Sequence, residues 1–530
     1  MQNGQLYNVR IMRLSIVLAV SLLLLPVAVP AQQTPVLSHR AANRILEQAT
    51  WGPTPSGEPT LEAGGFDQWF AAQLAAPIST YQDQPYYNSQ GNSNTNLAPV
   101  QLQFFQNALS APDQLRQRVA FALSEIWVIS ELEITNASAF PPLMRIFQQD
   151  AFGNYEQLMY DVTLNAGMGH FLNMVNNDKG NAAKGTVPNE NYAREVMQLF
   201  TIGLTQLHLD GTPVVDSNGN PVATYTQADV TGLSRAFTGW TYGPKPGFVT
   251  KGHNPAYYQP PMAPLESEHD VNAKQILGVT LPAGQTAEQD LKDALHVIFM
   301  QSSLAPFVSQ QLIEHLVSSN PSPAYVERVA KIFENNGAGV RGDLKAVIFA
   351  ILTDPEARAG DTSDTAETSF GHMREPVLFV LNLLRGLNGS LASTSTVANA
   401  ATNLGQQLFY APSVFSYFSP QYRTTNGLLG PEFQIYSTQT VANRADTVYS
   451  VVYGGQLDAG TKFDITPFTR AASSNDSLTT LINSVFFHND MSTDLKNAIA
   501  QALAPLTAAS DKAKAALYVA LTSGEYQIIH

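Results

Sequence analysis

Apolar residues recur at helical spacing along most of this chain, and the runs break at Gly, Pro, Asn or Asp. The first such run covers residues 38–50 and stops at Gly52-Pro53; a second covers 66–74. Residues 77–99 are rich in Asn, Gln, Tyr, Ser and Pro without periodicity and read as a long surface loop. In 112–127 the apolar positions 115, 119, 122, 123 and 126 lie on one helical stripe, with Asp113 suited to the first turn. The same signals predict helices over 227–237, 287–300, 305–317, 324–335, 342–353 and 373–387. Residues 389–402 read as a surface connection, and further helices follow from Leu404 through Tyr526. The exception is about 205–226, where Asp210-Gly211 and Asn218-Gly219 separate short β-prone runs and predict a hairpin or meander. No fixed repeat aligns the helices. The expected fold is mainly α, one large multi-helical domain over 32–530 with a small β-hairpin or meander insertion.

Composition places this domain. The first 31 residues carry only Arg10 and Arg13 as charges, ahead of the apolar run Leu14 to Leu25, Pro26 and small residues up to Ala31. This is the pattern of a secretory signal peptide, too short to span a bilayer. An exported protein, periplasmic or extracellular, is expected. The chain has no cysteine, which removes disulfides, thiol nucleophiles and cysteine-ligated metals and leaves stability to the core. Loss of the leader arginines takes the net charge from −14 to −16, which excludes nucleic acid and anionic membranes as bulk electrostatic partners. Once the leader is cleaved, no transmembrane segment is expected.

The densest chemistry sits in Pro188-Asn189-Glu190-Asn191-Tyr192-Ala193-Arg194-Glu195, at the opening of a helix whose other face is apolar. Glu190 and Arg194 stand at i, i+4, as do Asn191 and Glu195, which suits either two surface pairs or a buried polar array. Glu190 and Glu195 diverge by about 140° around the helix, so another segment must complete any acid–base site. The next helix offers Asp229 near its start and Arg235 near its end, followed by Phe237-Thr238-Gly239-Trp240. Arg235 suits an acidic partner, and Trp240 suits either the core or a pocket wall. His253 and Glu266-Ser267-Glu268-His269-Asp270 have the ligand types of a zinc, manganese or iron site. Adjacent residues do not point at one ion and no His-Glu-x-x-His spacing occurs, so no metal ligands are assigned and a divalent ion remains an open alternative. His269 is a general-base candidate or a turn residue bonded to Lys274. Nucleophile elbows, phosphate loops and dinucleotide fingerprints are absent from the sequence.

These phrases, with Leu316-Val317-Ser318-Ser319-Asn320-Pro321-Ser322-Pro323, Gly342-Asp343-Leu344, Arg374-Glu375-Pro376 and Pro431-Glu432-Phe433, give the chain its likeness. It resembles a family of bacterial exported proteins catalogued as domain of unknown function 1800, over nearly the whole mature chain. The resemblance implies no activity, but it suggests a co-exported partner of sulfatase-like appearance. Where the family pattern has His-Pro-Asn before Ala305-Pro306-Phe307, this chain has Gln301-Ser302-Ser303.

Two functions fit the sequence. One is an extracytoplasmic hydrolase or lyase acting on a glycan or other polymer. In that reading Glu190, Glu195 and His269 perform acid–base work, and Arg194, Arg235, Trp240, Asp270, Lys274 and Arg374 hold substrate. The other is a non-catalytic helical scaffold for the co-exported partner. Glu195 lies beyond the first turn of its helix, so it is expected to reach Arg235, Arg374 or His269.

Overall fold

A computed structural model describes residues 36–362 and 370–530; the expected leader lies outside the described residues. The fold is mainly α, as the periodicity predicts, and the only paired strands among the described residues form two-stranded antiparallel sheets. Many helix starts have a chemical cause. Ser38, Asn154, Thr226, Thr286, Ser322, Asp343, Ser474 and Ser492 each accept a bond from a backbone N–H of the following turn, satisfying a donor the helix leaves open.

The helix Gln114–Ile126 runs through the centre, with every residue but Ser124 buried. It packs on His39–Ala49, Ala98–Ser110, Phe140–Asp150 and Leu304–Leu316. Being covered on all sides, it must bury its polar residues along with its apolar stripe, and Arg116, Gln117, Arg118 and Glu125 go inside. Asp113 does not cap this helix; its carboxylate accepts from Ser79 N and Gln117 Nε2, both at 2.9 Å. One apolar cluster extends from Ala42 to Ile529.

The 205–226 insertion is the expected small meander: the turns at Gly211 and Gly219 form with φ of 80° and 82°, and antiparallel backbone bonds such as His208 N to Thr212 O, Val214 N to Gln206 O and Val222 N to Val214 O join its short segments. Several expectations are corrected. The stretch 389–402 is not a plain connection: Ser390–Leu391 pairs with Thr461–Lys462, and a helix starts at Ala398. Helices do not resume directly at Leu404, because 405–430 is irregular. The helix expected from Asn189 starts at Asn191 and widens into a π-helix over Val196–Thr201. Ser303 Oγ accepts from Leu207 N at 3.0 Å and anchors the insertion. At the far end, Ile528–Ile529 pairs with His372–Met373 and ties the chain's last residues to Arg374-Glu375-Pro376.

Candidate functional site

The residues singled out in the sequence separate into three groups. Glu190 is a surface hub: its carboxylate accepts from Arg194 (3.1 Å), Gln227 (2.9 Å) and Thr231 (3.0 Å), joining the 191–195 helix to Gln227–Ala236. Arg235 makes a two-pronged pair with Asp270 at 2.7 and 3.3 Å, which helps hold the Asp270 carboxyl far below its usual range. His269 is fully buried; Nδ1 donates to the Thr238 carbonyl at 2.8 Å, and Nε2 faces Asp290 at 2.9 Å. Lys274 closes on the same Asp290 oxygen and on the carbonyls of Asp270 and Asn272. Gly239 makes this fit possible: at φ +76° it lies so close that a Cβ would be 2.7 Å from His269 Cβ.

Arg374 belongs elsewhere, bonded to Glu47 at 3.0 Å and stacked 4.5 Å from the Tyr526 ring, with its side chain buried. The direct contact expected of Glu195 does not form, because Arg235, His269 and Arg374 are each committed to another acid. Glu195 Oε2 has no hydrogen-bond partner, and burial raises its carboxyl above the usual range against the pull of Arg194. Trp240 is core: it pairs with Pro264 and its carbonyl accepts from Asn176 N at 2.6 Å. The metal-like run also disperses. His253 bonds Asp178 at 2.8 Å, Glu266 receives the Ala287 N–H, and among the described residues no three His, Asp or Glu side chains are grouped to hold an ion.

A second cluster was not foreseen as a unit. Glu125 and Glu375 are brought together inside the protein by Gln406, whose Nε2 donates to both, at 3.1 Å to Glu125 and 2.5 Å to Glu375. Burial pushes the Glu125 carboxyl up to about 7 and that of Glu375 well above its usual range, the latter reinforced by its acidic neighbour. Burial and the neighbouring Glu125 charge both favour the protonated form of Glu375. Arg118, fully buried, lies in its field together with Glu432. A void of about 30 Å³ beside Glu125 and Tyr417 gives this pair no substrate-sized access.

The open cleft lies next to it. A cavity of about 620 Å³ is bounded by Glu133, by the turn carrying His170, Asn173 and Asn176, by Asn191 and Tyr242, and by the segment from Ala411 to Val414. Its floor is built by asparagines. Asn165 caps the short helix Ala166–Phe171, and Asn173 and Asn176 then adopt left-handed φ of 58°, a conformation asparagine tolerates better than most residues. Asn177 Oδ1 takes the Asn189 N–H at 2.7 Å, so the Pro188-to-Glu195 segment is pinned to the floor and Asn191 donates to Asn173 at 3.2 Å.

His170 Nδ1 lies 2.5 Å from the Tyr242 hydroxyl, and the Tyr242 ring meets that of Tyr258 edge-on at 5.7 Å. Burial lowers the His170 pKa, opposed by the Glu133 carbonyl and carboxylate, and pushes Tyr242 up to about 12. Near neutral pH the imidazole is therefore an acceptor and the phenol keeps its proton. An exposed carboxylate, a neutral imidazole and a protonated phenol at one cleft wall are the parts of an acid–base site. Sequence reasoning missed this centre because Glu133, His170 and Tyr242 come from three separate segments. The available signal was the asparagine run at 173, 176 and 177, which marks a strained turn.

The chain belongs to the family described as protein of unknown function (DUF1800), whose pattern covers residues 44–528. No curated protein and no solved structure matches it.

Proposed function

We propose that this protein is an extracytoplasmic acid–base enzyme, a hydrolase or lyase on a polymeric substrate, with its reaction centre at Glu133, His170 and Tyr242. The observation that carries the reading is the 620 Å³ cleft in which these three groups meet. Bond cleavage of either kind needs one group to take a proton and another to give one to the leaving oxygen. Glu133 is the acceptor, and the Tyr242–His170 pair is the donor. Asn173, Asn176 and Asn191 orient the substrate through their amides. Export follows from the leader pattern of the first 31 residues.

The test is turnover of a polysaccharide panel by the mature protein. Glu133→Gln is expected to lower the rate by about 100-fold or more, the usual size of a lost acid–base group, with melting unchanged. His170→Gln is expected to do the same. Full activity in both variants would overturn the assignment.

The stacked and exposed Tyr449 and Tyr453, with ring centroids 4.8 Å apart, favour a second reading in which this face docks the co-exported sulfatase-like partner. Co-purification of the two proteins that survives Tyr449→Ser with Tyr453→Ser would remove that surface from consideration.

A further inference from the structure

A row of aromatic rings leads from the surface to the reaction centre. Phe248 and Tyr87 stand at its outer end, 53% and 50% exposed. Lys245 holds them in place: its ammonium lies 5.1 Å from the Phe248 ring, 4.5 Å from Tyr87 and 4.4 Å from Tyr86, and it donates to the Tyr87 hydroxyl at 2.9 Å. Tyr86 follows Tyr87 at 4.9 Å and lies nearly parallel to Tyr258 at 6.2 Å. Tyr258 is buried and connects the row to the cleft from inside, 5.7 Å from Tyr242 and 5.8 Å from His170, both on the cleft wall.

We infer that the exposed end of this row, Tyr87 and Phe248, is a binding platform for a neutral polysaccharide chain, whose sugar rings stack there while the cleft receives the bond to be cut. The inference deepens the proposed function and rests on its placement of the reaction centre. Sugar rings offer C–H faces to aromatic planes and hydroxyls to amides, and the site supplies both kinds of partner. The rings are already fixed by Lys245 and by one another, so little side-chain freedom is lost when a chain settles on them.

Charge decides against an acidic polymer. None of the described residues lining the cleft is Lys or Arg, Glu133 is among them, and the whole chain carries −14. The cation on the platform, Lys245, is already engaged by three rings and a hydroxyl. A polyanion would meet repulsion with no compensating pair.

The experiment is affinity electrophoresis of the mature protein in gels containing hydroxyethyl cellulose, glucomannan, xylan or soluble starch, against alginate and polygalacturonate. At least one neutral polymer is expected to retard the protein, and Tyr87→Ala combined with Phe248→Ala, both at exposed positions, is expected to weaken that retention at least tenfold. Circular dichroism confirms that the double variant is folded. Retention only by the polyanions, retention by none, or retention that the double variant keeps would each overturn the inference. The two proposals fail separately. Loss of turnover in Glu133→Gln without neutral-glycan retention would leave the acid–base centre and remove the platform. Platform-dependent retention with Glu133→Gln fully active would do the reverse.

Discussion

At the scale of single residues, burial without a partner and burial with one have opposite consequences. Glu195 keeps an oxygen without a donor, and burial disfavours its ionised form. Replacing it with Gln removes the charge and keeps the shape. Glu195→Gln is therefore expected to leave stability within about 0.5 kcal/mol of the parent or to raise it slightly at pH 8, measured by chemical denaturation. A loss above about 2 kcal/mol would show that a paired carboxylate is needed there. His269 is the contrasting case: both ring nitrogens are engaged in a closed interior, so its removal leaves Asp290 and the Thr238 carbonyl short of a donor. Sequence alone could not separate these cases, because Glu195 and His269 differ in partners drawn from distant segments.

At the scale of elements, the fit between the helix Gln227–Ala236 and the strand Lys274–Ile276 holds the Arg235–Asp270 and His269–Asp290 pairs together. Gly232 sets that distance, since a Cβ there would lie 1.9 Å from the Gln275 carbonyl oxygen. Backbone cannot yield as a flexible side chain does. Gly232→Ala is expected to cost at least about 3 kcal/mol, the upper end for overpacking, despite the better helix propensity of alanine. Gly252→Ala, where nothing lies within 4 Å of the added carbon, serves as the control and should leave the melting temperature unchanged. Equal melting of both variants would show that helix and strand can separate without consequence.

At the scale of the whole molecule, buried ionisable groups make stability depend on pH in two directions. Glu125 rises from the usual 4.5 to about 7, so the folded state holds its proton over a range where the unfolded chain has lost it. Its contribution is full below pH 4.5 and disappears as pH rises through 7. Glu125→Gln cannot ionise, and its stability relative to the parent is expected to grow between pH 5 and pH 8 by about 3 kcal/mol. His488 moves the other way, lowered by burial to about 3 from 6.5, so stability falls as pH drops from 6.5 toward 3. His488 sits at a left-handed helix end with φ of 54°, a conformation asparagine accepts. His488→Asn is expected to weaken the acid sensitivity in that window. Melting curves across pH 4–8 check both, and a pH-independent difference between either variant and the parent would refute its assignment.

Helical periodicity and punctuation determined the fold class and most helix positions, because amphipathic spacing and capping are local properties. The 227–236 and 287–299 helices are legible from a dozen residues each. The strand pairs were not, since two or three residues carry no period and their partners lie far off, as Met373 does from Ile528. The sequence also marked Asn191, Arg374-Glu375 and Glu432 as parts of notable phrases, and each does border the cleft or enter a buried polar network. Only the tertiary structure decided that Arg235 takes Asp270, that Arg374 takes Glu47, that Gln406 bridges Glu125 and Glu375, and that His170 meets Tyr242 and Glu133. Those pairings are set by which surfaces the core brings face to face, and nothing within any one segment encodes the partner.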